Sequence, residues 1–143
     1  PNPIEQFQRW FSDAVASNQG EWFEPNAMSL ATCAKDAVPS VRIVLLKDFD
    51  ERGFVFYTNY DSEKGRHLAE NPVASLLFYW HGLERQVRIT GDVARVSREE
   101  SEAYFARRPR SSQIGAAAST QSAVVPSRDA LEACFAELEL RYE

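Results

Sequence analysis

The chain has 143 residues and a mass of 16.2 kDa, the size of one compact domain. Hydrophobic residues at 44% and aromatic residues at 12% argue against a disordered chain, and a net charge of −5 gives no support for general nucleic-acid binding, which needs a basic surface. The longest apolar run, Val73–Trp80, falls far short of the roughly 20 residues of a membrane-spanning helix, so a soluble, cytoplasmic protein with a single domain over 1–143 is expected.

In chain order, Ile4, Phe7, Trp10, Phe11, Ala14 and Val15 recur at helical spacing and predict an amphipathic helix over 3–17, within an N-terminal helical segment 1–20. Ser17–Pro25 reads as a polar connection broken by Gly20 and Pro25. Ala27–Cys33 predicts a strand and Lys35–Pro39 a turn. Val41–Lys47 and Phe54–Tyr60, rich in β-branched and aromatic residues, predict two more strands joined through Asp48–Gly53. Their apolar side chains fall on both parities, which predicts that both faces are covered. Ser62–Glu70 reads as a short helix closed by Asn71-Pro72.

Val73–Trp80 predicts a strand that is apolar on both faces, and His81-Gly82 turns it into a long strand over Leu83–Val96. There Leu83, Val87, Ile89 and Val93 share one parity and Glu84, Gln86, Arg88 and Thr90 the other, with a bend or bulge at Gly91. Ser97 followed three residues later by Glu100 is a capping box that starts a helix, which Pro109 ends. Ser111 or Ser112 is placed to cap a further helix through Ala118. Pro126-Ser127 opens the C-terminal helix, 127–143, with Leu131, Phe135, Leu138 and Tyr142 on one face. Strands with helices between and after them predict an α+β, mainly β protein: an antiparallel barrel with helical additions.

The chemistry these residues offer is anion recognition. Histidines His67 and His81 lack metal-ligand spacing, cysteines Cys33 and Cys134 are far apart and read as reduced core residues, and glycine-rich nucleotide loops are absent. Arg42, Lys47, Lys64, Arg85, Arg88 and the Arg107-Arg108-Pro109-Arg110 cluster supply cations. A strand end, a helix N-terminus and Lys64 in the helix's first turn suit a phosphate. Tyr104 and Arg108 share a helix face and Ser112 follows, so the three can surround one phosphate. A solvated helix end with arginines on the C-terminal dipole fits the same spacing equally well. The economical inference is a phosphorylated ligand or cofactor that brings its own reactivity.

Six ordered segments carry a family resemblance: RIVLLK (42–47), FVFYTNYDSEKG (54–65), NPVASLLFYW (71–80), ERQVRITG (84–91), ESEAYFARRPRSSQIGA (100–116) and STQS (119–122). Together they resemble pyridoxine/pyridoxamine 5′-phosphate oxidase, from about Pro25 to the end of the chain. The resemblance implies an antiparallel, Greek-key-like split β-barrel that binds FMN, and a homodimer with flavin at the interface. It implies an oxidoreductase of vitamin B6 metabolism. This flavoprotein would oxidise pyridoxamine or pyridoxine 5′-phosphate to pyridoxal 5′-phosphate, with O2 as acceptor and H2O2 as product.

By the same resemblance, Arg42, Ile43, Val44, Leu45, Leu46, Lys47, Tyr57, Thr58, Lys64 and Gln86 contact FMN. Gln121 and Ser122 do so from the partner subunit, and Lys47, Tyr104, Arg108 and Ser112 hold the substrate phosphate. No side chain is assigned as a catalytic acid or base, and no metal is implied. Two departures stand out. Glu63 occupies a position where family members often carry a basic residue, and would repel a flavin phosphate if it pointed inward. The family's C-terminal flavin and substrate contacts do not follow Glu143, so this chain is expected to bind FMN but turn over poorly. The rival reading is a split barrel that holds FMN or pyridoxal phosphate without turnover; a flavin reductase of another substrate is a third.

Overall fold

The computed structural model describes residues 2–17 and 19–142. Pro1, Asn18 (within the predicted 17–25 connection) and Glu143 (the end of the predicted last helix) lie outside the described residues. The chain forms two compact units, Pro1–Tyr57 with His67–Val93, and Thr58–Arg66 with Ala94–Glu143.

The first unit holds helix α1 (Pro3–Ala16) and strands β1 (Ala27–Cys33), β2 (Pro39–Leu45), β3 (Asp48–Asp50), β4 (Gly53–Val55), β5 (Val73–Trp80) and β6 (Arg85–Asp92). Four strands form an antiparallel sheet in the order β2-β1-β5-β6, and β3-β4 is a separate hairpin. Strand alternation sends Met28, Leu30 and Thr32 of β1, and Ala74, Leu76, Phe78 and Trp80 of β5, to one buried face. Helix α1 docks there through Phe7, whose ring lies 4.8–5.9 Å from those of Phe11, Phe49, Phe54, Phe78 and Trp80. Asn2 caps the helix by accepting from Ile4 N at 2.9 Å. An Arg85–Asp13 ion pair of 2.6 Å ties its far end to β6.

The opposite face of the sheet corrects the expectation that both faces are covered. Val41 is 67% exposed, Ile43 64% and Tyr79 60%. The apolar residues on the second parity are real, but the first unit leaves Val41 and Ile43 largely exposed, and Tyr79 meets the His81 ring at 5.9 Å while staying exposed.

Two strands are shorter than their apolar runs predict. The run 54–60 leaves the hairpin after Val55, where turn chemistry takes over: Asn59 Oδ1 accepts from Asp61 N at 2.8 Å, and Asn59 O accepts from Ser62 N at 3.1 Å. The strand predicted to reach Val96 stops at Asp92. Val93 N donates to Pro72 O at 2.7 Å, and proline has no N–H to continue the ladder. Gly91 pairs regularly with Ala74 rather than forming a bulge. In the hairpin, Asp50 accepts from both Arg52 N and Arg52 Nε at 2.8 Å, and these bonds hold its carboxyl below the usual range.

The second unit contains the start of α2 (Glu63–Glu70) with α3 (Arg98–Arg107), α4 (Arg110–Ala118) and α5 (Arg128–Arg141). The Ser97 capping box is formed in both directions. Neither Ser111 nor Ser112 caps α4, which instead starts on Pro109, whose carbonyl accepts from Ser112 N at 2.9 Å. Ser127 caps α5. Leu131, Phe135 and Leu138 are half-buried as predicted, whereas Tyr142 falls past the helix end and is exposed. No helix among the described residues is long and apolar enough to cross a membrane.

Candidate functional site

In the second unit the chain gathers three of the sequence-predicted residues on one point. Ser62 sits before α2, its Oγ accepting from Gly65 N at 3.3 Å and donating to Asn59 O at 2.6 Å. A Cβ at position 65 would collide with the Tyr60 carbonyl, so glycine permits the close return of residues 59–60 over the helix start. This phase directs Lys64 inward, 7% exposed, and leaves Glu63 exposed. Lys64 Nζ and Thr58 Oγ1 then donate to the same atom, Gln121 Oε1, at 3.1 and 3.0 Å. A cation and a hydroxyl converging on one acceptor beside a helix N-terminus is a donor set suited to a phosphate oxygen.

Gln121 thus meets Thr58 and Lys64 of its own chain. Ser122, with φ +65°, is exposed in the turn that follows. Glu63 points to solvent in the first turn of α2, where a carboxylate is favoured by the helix dipole.

Tyr104 and Arg108 lie one turn apart at the end of α3, and Ser112 lies in the first turn of α4; all three are half-buried. The Arg108 guanidinium is 5.8 Å from the Phe105 ring centroid, and its carbonyl accepts from Gln113 Nε2 at 2.9 Å.

In the first unit, residues 42–47 cannot all turn their side chains to one ligand. Arg42 and Val44 face the sheet's buried side, Ile43 the open side, and Leu46 is buried with its N–H donating to Asn26 O at 2.8 Å. Leu45 is half-buried and Lys47 exposed. Since β2 is an edge strand of its sheet, one row of its backbone groups points away from β1, and several of these residues would meet a ligand through backbone atoms. Tyr57 is half-buried in the segment after β4, and Gln86 is exposed on β6, opposite Tyr79.

The sequence reading missed the residues that hold Arg42. Its Nη1 donates to Thr32 Oγ1 at 2.7 Å, Ser40 O at 3.1 Å and Leu30 O at 3.2 Å, and its Nη2 to Ser40 Oγ at 2.8 Å. Thr32 Oγ1 is also 3.2 Å from His67 Nδ1. The available signal was Thr32 itself, a hydroxyl on the inward parity of a strand whose other inward residues are Met28 and Leu30.

Comparison with known proteins follows the same lines. The family described as pyridoxamine 5′-phosphate oxidase matches residues 16–142. Curated proteins named pyridoxine/pyridoxamine 5′-phosphate oxidase are similar over the whole chain: that of Rubrobacter xylanophilus is 58% identical and that of Gloeothece citriformis 56%. The chain spans 64% and 65% of the length of these two relatives. Among solved structures, PhzG from Burkholderia lata, in complex with tetrahydrophenazine-1-carboxylic acid, is 33% identical with a TM-score of 0.92, over 99% of this chain and 69% of that one. A pyridoxamine 5′-phosphate oxidase-related, FMN-binding protein from Nostoc punctiforme shares the fold at 17% identity, with a TM-score of 0.66 over 88% of this chain and 70% of its own. The fold class is therefore the one expected from the sequence: α+β, with the antiparallel sheet of a split barrel.

Proposed function

The chain belongs to the pyridoxamine 5′-phosphate oxidase family, and from that premise we propose that it seats FMN and takes part in oxidising pyridoxamine or pyridoxine 5′-phosphate to pyridoxal 5′-phosphate. The observation that carries this reading is the convergence of Lys64 and Thr58 on one acceptor atom at the start of α2. That donor set fits the phosphate of FMN. Lys64 would supply charge and Thr58 a directed hydroxyl, and Arg42 would be a further flavin contact. Bound FMN would supply the redox chemistry, taking up a hydride equivalent from C4′ of the substrate, with O2 as the final acceptor and H2O2 as product.

The contribution of the chain's own residues is position and charge. Lys47, Tyr104, Arg108 and Ser112 would hold the substrate phosphate, fixing the pyridine ring relative to the cofactor. Backbone groups of 42–47, with Tyr57, Gln86, Gln121 and Ser122, would complete the flavin contacts. The working unit we propose is a homodimer with FMN at the interface. The exposed apolar residues Val41 and Ile43 on β2 and Tyr79 on β5 support the sheet's open face as the surface that a second copy covers.

The experiment is peroxide release by the FMN-loaded protein on addition of pyridoxamine 5′-phosphate. Stoichiometric FMN with formation of pyridoxal 5′-phosphate and H2O2 is the expected result. FMN binding without turnover would assign a binding module instead, and no FMN binding at all would remove the reading.

A further inference from the structure

We propose that Gln113 is a positioning residue that fixes Arg108 and Ser112 in place for the substrate phosphate; this rests on the reading of those two residues as phosphate contacts given above. Both stand at the corner where α3 turns into α4, and every residue of that corner belongs to the second unit. The corner is made of two extended residues, Arg108 with ψ 148° and Pro109 with ψ 142°. Proline keeps its predecessor out of the helical region and fixes its own φ, but it leaves its own ψ free. The corner therefore needs a further tie, and Gln113 supplies it from α4. Its Nε2 donates to Arg108 O at 2.9 Å and to Ala106 O at 3.2 Å, while its own N–H donates to Pro109 O at 3.1 Å.

The partners fix the orientation of the amide. Both are carbonyl oxygens, so only its NH2 end can face them, with one hydrogen for each. They also lie at the end of α3, where no later turn of the helix can donate to them. One neutral side chain therefore grips both sides of the corner, the end of α3 through its amide and the start of α4 through its backbone. Arg108 and Ser112 are carried on that gripped backbone. The Arg108 guanidinium lies 5.8 Å from the Phe105 ring centroid, and among the described residues no hydrogen bond or ion pair takes up either it or Ser112 Oγ. The groups that would meet the phosphate are thus left open while the chain beneath them is tied. Removing the amide leaves both groups chemically intact and frees their spacing.

Two ligands separate positioning from mere support of the fold. 4-Deoxypyridoxine 5′-phosphate has a methyl group at C4 that FMN cannot oxidise, and 4-deoxypyridoxine is the same ring without the phosphate. The Kd of each is measured by calorimetry on the FMN-loaded protein. Gln113→Met, of similar length but with no donor, should raise the Kd of the phosphorylated ligand about three- to tenfold and leave that of the other within about twofold. Gln113→Ala, with a residue at least as favourable in a helix, should show the same difference, which assigns it to the lost donor rather than to the new side chain. Equal losses for the two ligands, or a phosphorylated-ligand Kd within about twofold of the parent in either variant, would overturn the positioning role. Arg108→Ala supplies the control. If it weakens the phosphorylated ligand and Gln113→Met does not, only the positioning inference fails; if it leaves that affinity unchanged, the assignment of Arg108 to the phosphate fails and the inference goes with it.

Discussion

Replacing Lys64 with methionine separates cofactor binding from stability at the centre of the site. Lys64 is 7% exposed, and its Nζ lies 3.1 Å from Gln121 Oε1, which also accepts from Thr58 at 3.0 Å. The amide oxygen is a neutral acceptor, whereas a phosphate oxygen taking the same donor is charged. A hydrogen bond to a charged group contributes about 1.5–3 kcal/mol, so its loss should raise the FMN Kd about ten- to a hundredfold. Stability should hardly follow. Methionine keeps an apolar stem in the same space with no ammonium to desolvate, and Thr58 keeps Gln121 Oε1 as its acceptor. The Tm of the protein without FMN should stay within about 3 °C of the parent, a change of under about 1 kcal/mol. The assay is a fluorescence titration with FMN at low and moderate salt, alongside thermal unfolding. Parent affinity should fall more steeply with salt than the variant's, because salt screens the free phosphate that the buried ammonium must attract. An FMN Kd within twofold of the parent in the folded variant would refute the placement of the flavin phosphate at Lys64. A large drop in Tm would show that the ammonium serves the fold through Gln121 instead.

Three other substitutions probe separate parts of the molecule. Arg108→Ala should leave FMN affinity unchanged and raise KM for pyridoxamine 5′-phosphate about ten- to a hundredfold in steady-state assays; release of flavin with KM unchanged would mean that the two anion sites are assigned the wrong way round. Phe7→Ala removes the ring around which Phe11, Phe49, Phe54, Phe78 and Trp80 pack and should cost about 3–5 kcal/mol in denaturant unfolding. Ile43→Lys places a charge on the open face of the sheet and should shift the protein from dimer to monomer in sedimentation, with weaker FMN binding. A dimer of undiminished affinity would move the interface elsewhere.

The parts of the fold that were legible in the sequence are those whose cause is local. The Ser97–Glu100 box and Ser127 before α5 each satisfy helix-end N–H groups within a few residues, and both are formed. Strands β1 and β5 were equally readable as strands, with the bounds expected, although the one-sided burial of β5 was not. Misreadings occurred where a distant partner decides. The length of β6 depends on Pro72, some twenty residues earlier, which offers Val93 an acceptor but no donor. The open face of β2 looked like core because Val41 and Ile43 are apolar; a sequence states that a side chain will be covered, not whether its own chain covers it.

The site divides along the same line. Lys64 could be singled out because a lysine in the first turn of a helix after a strand end has a reason to be there, whereas Thr58 was named through the resemblance. Gln121, some sixty residues further on, reads as an ordinary loop residue, and its place on the shared point with Lys64 and Thr58 is a fact of folding. Glu63 shows the converse. Its charge suggested repulsion of a phosphate, yet neighbouring helix positions are turned about 100° apart, so burying Lys64 sends Glu63 away from the same point. One phase choice, set by Ser62 and Gly65 at the helix start, therefore decides both the attractive and the repulsive contribution. A substitution that shifts the start of α2 by a single residue would exchange the lysine for the carboxylate without altering the composition of the motif.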